Sequence, residues 1–290
     1  MAAAEKRLPV AKTYKIFIGG KFPRTESGRY FALEDHKGAV IANMCRSSRK
    51  DFRNSVVAAR QAQSGWAAAS AYLRGQIIYR IAEILEGRKA QFVEELMLQG
   101  NALRAAEREA EESIDRLIYY AGWADKYQQL FSAVNPVNSS HFNFSVLEPT
   151  GVVSMIAPND SGLIGLVSNI ASVIVGGNTC IVLASEEQPL CAVSFAEVLQ
   201  ASDVPSGVVN ILTGFRSELT EQFASHMDVN AIVYCDGGKK AARTIQTLAA
   251  ENIKRVISRQ RVNWMQNKSA SPYEIRDTQE VKTTWHPIGT

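Results

Sequence analysis

The sequence predicts an α/β fold: a doubly wound parallel sheet covered by helices on both faces. Three observations predict it. Between Gly151 and Gly214 apolar strands and helical stretches follow one another in the order β-α-β-α-β. The strands, Val152–Ile156, Thr179–Leu183 and Val208–Leu212, are apolar without alternation, as strands buried on both sides must be. The apolar run Leu163–Val175 is too long for a strand and reads as a buried helix.

In chain order, the opening MAAAEKRLPVAKTYK lacks the apolar core of a signal peptide. Ile16-Phe17-Ile18 and Val40–Met44 read as short strands around the polar turn region Gly19–Lys37. Ser48 followed by Asp51 is a capping-type helix start, with Phe52, Val56 and Ala59 on the apolar face. Ile77, Ile78, Ile81, Ile84 and Leu85 repeat at helical spacing. So do Ile114, Leu117, Ile118 and Ala121, in a helix expected from about Leu103 to Gln129. The acidic cluster Glu107, Glu109, Glu111 and Glu112 within it reads as a solvated face. His141–Leu147 alternates and reads as a strand. Gly176-Gly177-Asn178 ends the central helix, where glycine supplies the left-handed conformation of a C-terminal cap. After Gly214 come a helix at Ser217–Ala224, a strand at Ala231–Tyr234, a helix at Lys240–Ala250 and a strand at Ile253–Ile257. Gln260–Pro272 is polar and without period, a linker or loop. Thr278–Trp285 alternates again. The chain thus divides into N-terminal hairpin and helices (1–130), a strand-bearing segment (131–149), the sheet core (150–259), a linker (260–277) and a last strand (278–290).

Composition narrows the function. The 290 residues are 46% hydrophobic, enough for a substantial core, and the formal charge is +3. That balance points to neither nucleic acid nor an anionic membrane as partner. The four cysteines, Cys45, Cys180, Cys191 and Cys235, form no Cys-x-x-Cys pair; they read as buried free thiols of a cytoplasmic protein. His36, His141, His226 and His286 show no ligand spacing, so no metal is expected.

The segments GVVSMIAP, GGNTCIVLASEEQPL, VPSGVVNILTG and ASHMDVNAIVY, with YYAGWADKY upstream, resemble the cofactor-binding half of NAD(P)-dependent aldehyde dehydrogenases. The resemblance runs from about Tyr14 to Ser258 and resumes at Glu280–Trp285. More narrowly, the chain resembles the non-catalytic second domain of the two-domain, family-sixteen members. The resemblance implies a Rossmann-like core at 150–259. It also implies a β-flap for oligomerisation, made from 131–149 and 278–290. In the family a catalytic domain lies between core and last strand; the interval from Ser258 to Glu280 is too short for one, which needs on the order of 100 residues.

The resemblance also places the chemistry. The nucleophile would lie in the missing domain, and no cysteine follows Cys235. Cys235 itself ends a strand and reads as a small buried thiol. The general-base position falls on Arg259, which stays protonated and cannot act as a base; a solvated surface arginine is the ordinary reading. The oxyanion-amide position falls on Asp160, whose carboxylate donates nothing, although a one-residue shift gives Asn159. The ribose lysine becomes Leu183, while the neighbouring glutamate is kept as Glu186. The phosphate-facing loop becomes Asp236-Gly237-Gly238-Lys239-Lys240; Gly237 and Gly238 keep backbone accessible, Asp236 competes with a phosphate, and Lys239 or Lys240 would offset it. The remaining cofactor contacts are therefore Glu186, Gly237 and Gly238. No cofactor is expected, and any NAD(P) binding is expected to be weak.

These residues imply a non-catalytic subunit that binds and organises a catalytic aldehyde dehydrogenase through its flap, as a hetero-oligomer or, through the same flap, a homodimer. Two alternatives are an NAD(H)-sensing module and an active dehydrogenase with an unrecognised nucleophile. The absent nucleophile and base argue against the last.

Overall fold

The computed structural model describes residues 11–35, 37–236 and 238–289. The chain opens with β1 (Thr13–Tyr14), β2 (Tyr30–Glu34) and β3 (Val40–Cys45), a three-stranded sheet in the order β1-β3-β2. The segment Ile16-Phe17-Ile18, expected as a strand of a hairpin, instead makes two isolated antiparallel bridges, Phe17 to Ile211 and Ile18 to Lys21. Gly19 and Gly20, both at positive φ, turn the chain away immediately afterwards.

Helices α1 (Arg49–Ala68), α2 (Ala71–Gly87), α3 (Lys89–Leu98) and α4 (Leu103–Trp123) follow. α1 starts in the expected capping box, with the Ser48 hydroxyl accepting from Asp51 N and the Asp51 carboxylate accepting from Ser48 N. The helix expected to reach Gln129 stops at Trp123. A turn follows, the Lys126 ammonium donates to the Gly122 carbonyl at 2.6 Å, and the short α5 (Tyr127–Phe131) sets off in a new direction. That ammonium satisfies one of the free carbonyls at the helix end. Next come β4 (Ala133–Asn135) and β5 (His141–Pro149).

The core is β6 (Val152–Ile156), α6 (Ile164–Val175), β7 (Thr179–Leu183), α7 (Leu190–Ala201), β8 (Val209–Leu212), α8 (Arg216–Ser225), β9 (Ala231–Tyr234), α9 (Gly238–Ala250) and β10 (Arg255–Ser258). Its five strands are all parallel, in the order β10-β9-β6-β7-β8. Side chains alternate between two apolar clusters. Val153 and Met155 pack with α2, α4, α6 and α7 on one face; Val152 and Ile156 pack with α1, α8 and α9 on the other. Gly177, at φ +90°, closes α6 as expected. Asn178 then accepts from Gly151 N at 2.8 Å and donates to the Thr278 carbonyl at 2.9 Å, tying the foot of the sheet to the last segment.

The two outer strands, β8 and β10, are each tied to a neighbouring segment. Phe17 exchanges two backbone hydrogen bonds with Ile211 at β8. At β10, Arg255 donates to the Asp277 carbonyl at 3.2 Å. After β10 the polar stretch does not hang free. It holds the short helix α10 (Tyr273–Arg276), and Trp264 and Ile275 are buried. Two buried arginines hold it down. Arg116 donates to the carbonyls of Trp264 and Ser269, both at 3.0 Å, and Arg259 donates to the Glu274 carbonyl at 3.1 Å.

The last strand, β11 (Gln279–Pro287), pairs antiparallel with β5 over nine positions, Gln279 opposite Pro149 to Pro287 opposite His141. β4 covers part of the other side of β5, giving a separate sheet β11-β5-β4. Val134, Phe142, Val281 and Trp285 stand exposed on it. Among the described residues no helix is long and apolar enough to cross a membrane.

Candidate functional site

Ligands of an open parallel sheet bind beyond the carboxyl ends of the strands, where the strand order reverses. Here the reversal lies between β6 and β9, and the loops after β6, β7, β8 and β9 converge on it. Their contents decide what the crevice can do.

Asp160 and Asn159 follow β6. Asn159 bridges two neighbouring loops: its side-chain oxygen accepts from Glu186 N at 3.0 Å, and its backbone N–H donates to Asp236 Oδ2 at 2.6 Å. Asp160 is exposed beside it. Partial burial, then the charge of Asp236, pushes its carboxyl above the usual range. The carboxylate of Asp160 offers no donor to a developing oxyanion. Ser161, next in the loop, accepts from Gly165 N at 2.8 Å and donates to Glu109 at 2.9 Å.

Glu109 corrects the solvated-face reading of the acidic cluster. Glu107 and Glu111 are exposed, but Glu109 is buried against the start of α6. One carboxylate oxygen accepts from Leu163 N at 2.9 Å and Ile164 N at 3.2 Å as well as from Ser161. A helix start leaves N–H groups unpaired and carries partial positive charge, so a carboxylate is a fitting partner.

Arg259 corrects a second reading. It is 6% exposed, not solvated. Its guanidinium donates to Asn169 Oδ1 at 2.8 Å and Ser172 Oγ at 3.2 Å, on the one polar strip of α6, and lies 3.5 Å from the Glu274 carboxylate. Tyr120 donates to the same carboxylate at 2.7 Å. The arginine is buried because that strip offers acceptors and Glu274 offsets its charge. The position the resemblance gives to a base thus holds a structural ion pair.

Cys235 is buried at the end of β9, and burial pushes its thiol up to about 12, so it carries no thiolate at neutral pH. Leu183 is fully buried in the core. Gly238 opens α9, whereas Gly237 lies outside the described residues.

The offset for Asp236 is not Lys239 or Lys240, both exposed, but Arg216. This first residue of α8 donates to Asp236 Oδ2 at 3.1 Å and also to the Ala157 carbonyl. Its own backbone N–H is taken by the Glu186 carboxylate. Sequence reasoning missed Arg216; the only signal was a charged residue at a helix start just beyond a strand end.

Two cavities flank this cluster. One of about 380 Å³ is lined by Glu109, Asp160, Ser161, Arg261 and Trp264 among others. The other, of about 390 Å³, is lined by Cys235, Asp236, Gly238, Lys239, Gln260 and Arg261. Two carboxylates and an arginine line the first; a thiol, a carboxylate and two cations line the second. Neither joins an activated nucleophile to a base. Among the described residues no cluster of His, Cys, Asp and Glu could hold a metal ion.

Comparison with known proteins places this geometry. A sequence model described as "Aldehyde dehydrogenase family" matches residues 23–260. Mouse (Mus musculus) cytosolic 10-formyltetrahydrofolate dehydrogenase is 30% identical over 262 residues, 87% of this chain and 29% of its own length. Chicken (Gallus gallus) retinal dehydrogenase 2 is 32% identical over 252 residues, 84% of this chain and 48% of its own length. The chain thus spans about half or less of these curated relatives. An NAD+ complex of an aldehyde dehydrogenase from Bacillus cereus superposes with a TM-score of 0.81 at 26% identity, covering 86% of this chain and 51% of the other.

Proposed function

This chain belongs to the aldehyde dehydrogenase family, and from that premise we propose that it is a non-catalytic member. In this reading it binds and organises a catalytic NAD(P)-dependent aldehyde dehydrogenase subunit through its flap, and needs no cofactor of its own. The observation that carries the reading is the flap sheet. Nine paired positions build β11 onto β5, yet on the face they share with Asn143 and Leu147, Val281 is 66% and Trp285 58% exposed. Large apolar side chains gathered on a projecting sheet mark an association surface, and its outer strands offer unpaired backbone groups to a partner strand. The reactive positions support the same reading: an arginine ion pair stands where a base is needed, and the thiol nearest the crevice is buried.

The test is native co-purification of the chain from its source, with wild type beside a Val281→Asp/Trp285→Asp variant. Both positions are exposed, so the variant should melt like wild type. Wild type should bring down a full-length aldehyde dehydrogenase that keeps its catalytic domain, and the variant should lose it. Equal recovery by both proteins, or a wild-type chain found only as a homodimer, would overturn the proposal.

A further inference from the structure

At the crevice where the family fold implies a dinucleotide, this chain's own loops are bonded to one another. Four loops meet there, and each is bonded to another. The β6 loop reaches the β7 loop through Asn159 Oδ1, which accepts from Glu186 N at 3.0 Å and from Ser185 Oγ at 3.3 Å. It reaches the β9 loop through Asn159 N, which donates to Asp236 Oδ2 at 2.6 Å. The start of α8 reaches all the others: Arg216 donates through its guanidinium to Asp236 and to the Ala157 carbonyl, and through its backbone N–H to Glu186. The Arg216 and Asp236 side chains are 16% and 30% exposed.

We infer that the Arg216–Asp236 pair is a latch that occupies the crevice, with the Asp236 carboxylate standing where a ligand anion would have to lie. A cofactor pyrophosphate carries negative charge and needs free N–H donors and cations. Here one backbone donor at the switch point, Asn159 N, and the facing guanidinium are already spent on Asp236. The carboxylate of Glu186, the retained cofactor-side residue, is likewise taken by the start of α8, so it is not free for a ribose hydroxyl. Leu183 offers no hydrogen bond. The residues present do not fit a bound dinucleotide, and they are held that way by a closed ring of hydrogen bonds rather than by random loss of contacts. Removing one partner alone would strand the other charge, whereas removing both releases the ring.

This extends the reading of a chain that works without its own cofactor; flap variants test that reading and crevice variants test this one. The full chain is titrated calorimetrically with NAD+, wild type beside an Arg216→Ala/Asp236→Gly variant. Wild type should give no saturable heat, and the variant should gain binding by at least about tenfold. Micromolar binding by wild type overturns the latch, as does a variant that melts like wild type and gains nothing. A second measurement needs no variant: hydrogen exchange at the Asn159 and Glu186 amides of wild type. Both should be protected well beyond exposed loop amides. Exchange at the rate of a free loop shows that the ring does not exist and overturns the inference.

Discussion

Among single residues, Glu109 shows how one side chain can do what its neighbours of the same type do not. Four glutamates crowd α4 and look alike in sequence, yet one meets the start of α6 while Glu107 and Glu111 face water. The distinction was present in the spacing. Glu109 lies four residues before Ser113, eight before Leu117 and eleven before Tyr120, all buried, and so sits on the inward stripe of its helix. A run of like charges hid that phase. Glu109→Ala strips the acceptor from two backbone N–H groups and a hydroxyl at once and should cost about 2–4 kcal/mol in urea unfolding. Glu109→Gln, which keeps an acceptor but not the charge, should lose less. A Glu109→Ala protein within about 0.5 kcal/mol of wild type would remove the capping role. Arg216 had no comparable signal, because its partners Ala157 and Asp236 lie 59 and 20 residues away and meet it only once the strands are ordered.

Whole elements were legible where burial is complete. The strands β6, β7, β8 and β9 and the helix α6 fall within a residue or two of expectation, since an unbroken apolar run has few places to go but the middle of a covered sheet. The segment after β10 was not legible, because its polar composition is that of a loop. What orders it is a pair of buried guanidinium groups contributed from α4 and from the end of β10. This bears on any attempt to restore the family's carboxylate. Arg259→Glu would set a carboxylate against that of Glu274, now 3.5 Å from the guanidinium, and leave Asn169 Oδ1 without its donor. The variant should lose roughly 3–5 kcal/mol of stability and gain no aldehyde oxidation. A protein with wild-type melting behaviour would show that the ion pair does not hold the segment. The flap has a similar boundary. Gln279 is buried and donates to the Gly176 carbonyl at 3.3 Å, so a truncation meant to remove only the projecting strand must begin beyond it.

For the molecule as a whole, the parallel core and the two faces of helices follow from patterns in the chain, as do the strands β5 and β11, whereas their place in one flap sheet follows only from the family resemblance. The chemistry of the crevice does not, because it rests on pairings between loops that sequence order keeps apart. One property belongs to the entire molecule: all four cysteines are buried and unpaired. A disulfide-exchange reagent should therefore titrate no thiol in the native state and 4 in denaturant. A native thiol that reacts quickly, and disappears with Cys235→Ser, would return that residue to consideration as a nucleophile. Finally, the Phe17 bridge at the β8 edge bears on how the chain reaches this state. Gly19 donates to Asn210 across 191 positions, beside the Phe17 bridge to Ile211, and at the foot of the sheet Asn178 donates to Thr278 across 100. Closing such spans costs chain entropy before any contact rewards it, so the β8 edge should close late, read as late protection of Ile211 N in pulse-labelled hydrogen exchange during refolding. Until then β8 presents an open strand to its surroundings, and the interval between making the sheet and covering it is when this chain is most exposed to pairing with the wrong neighbour.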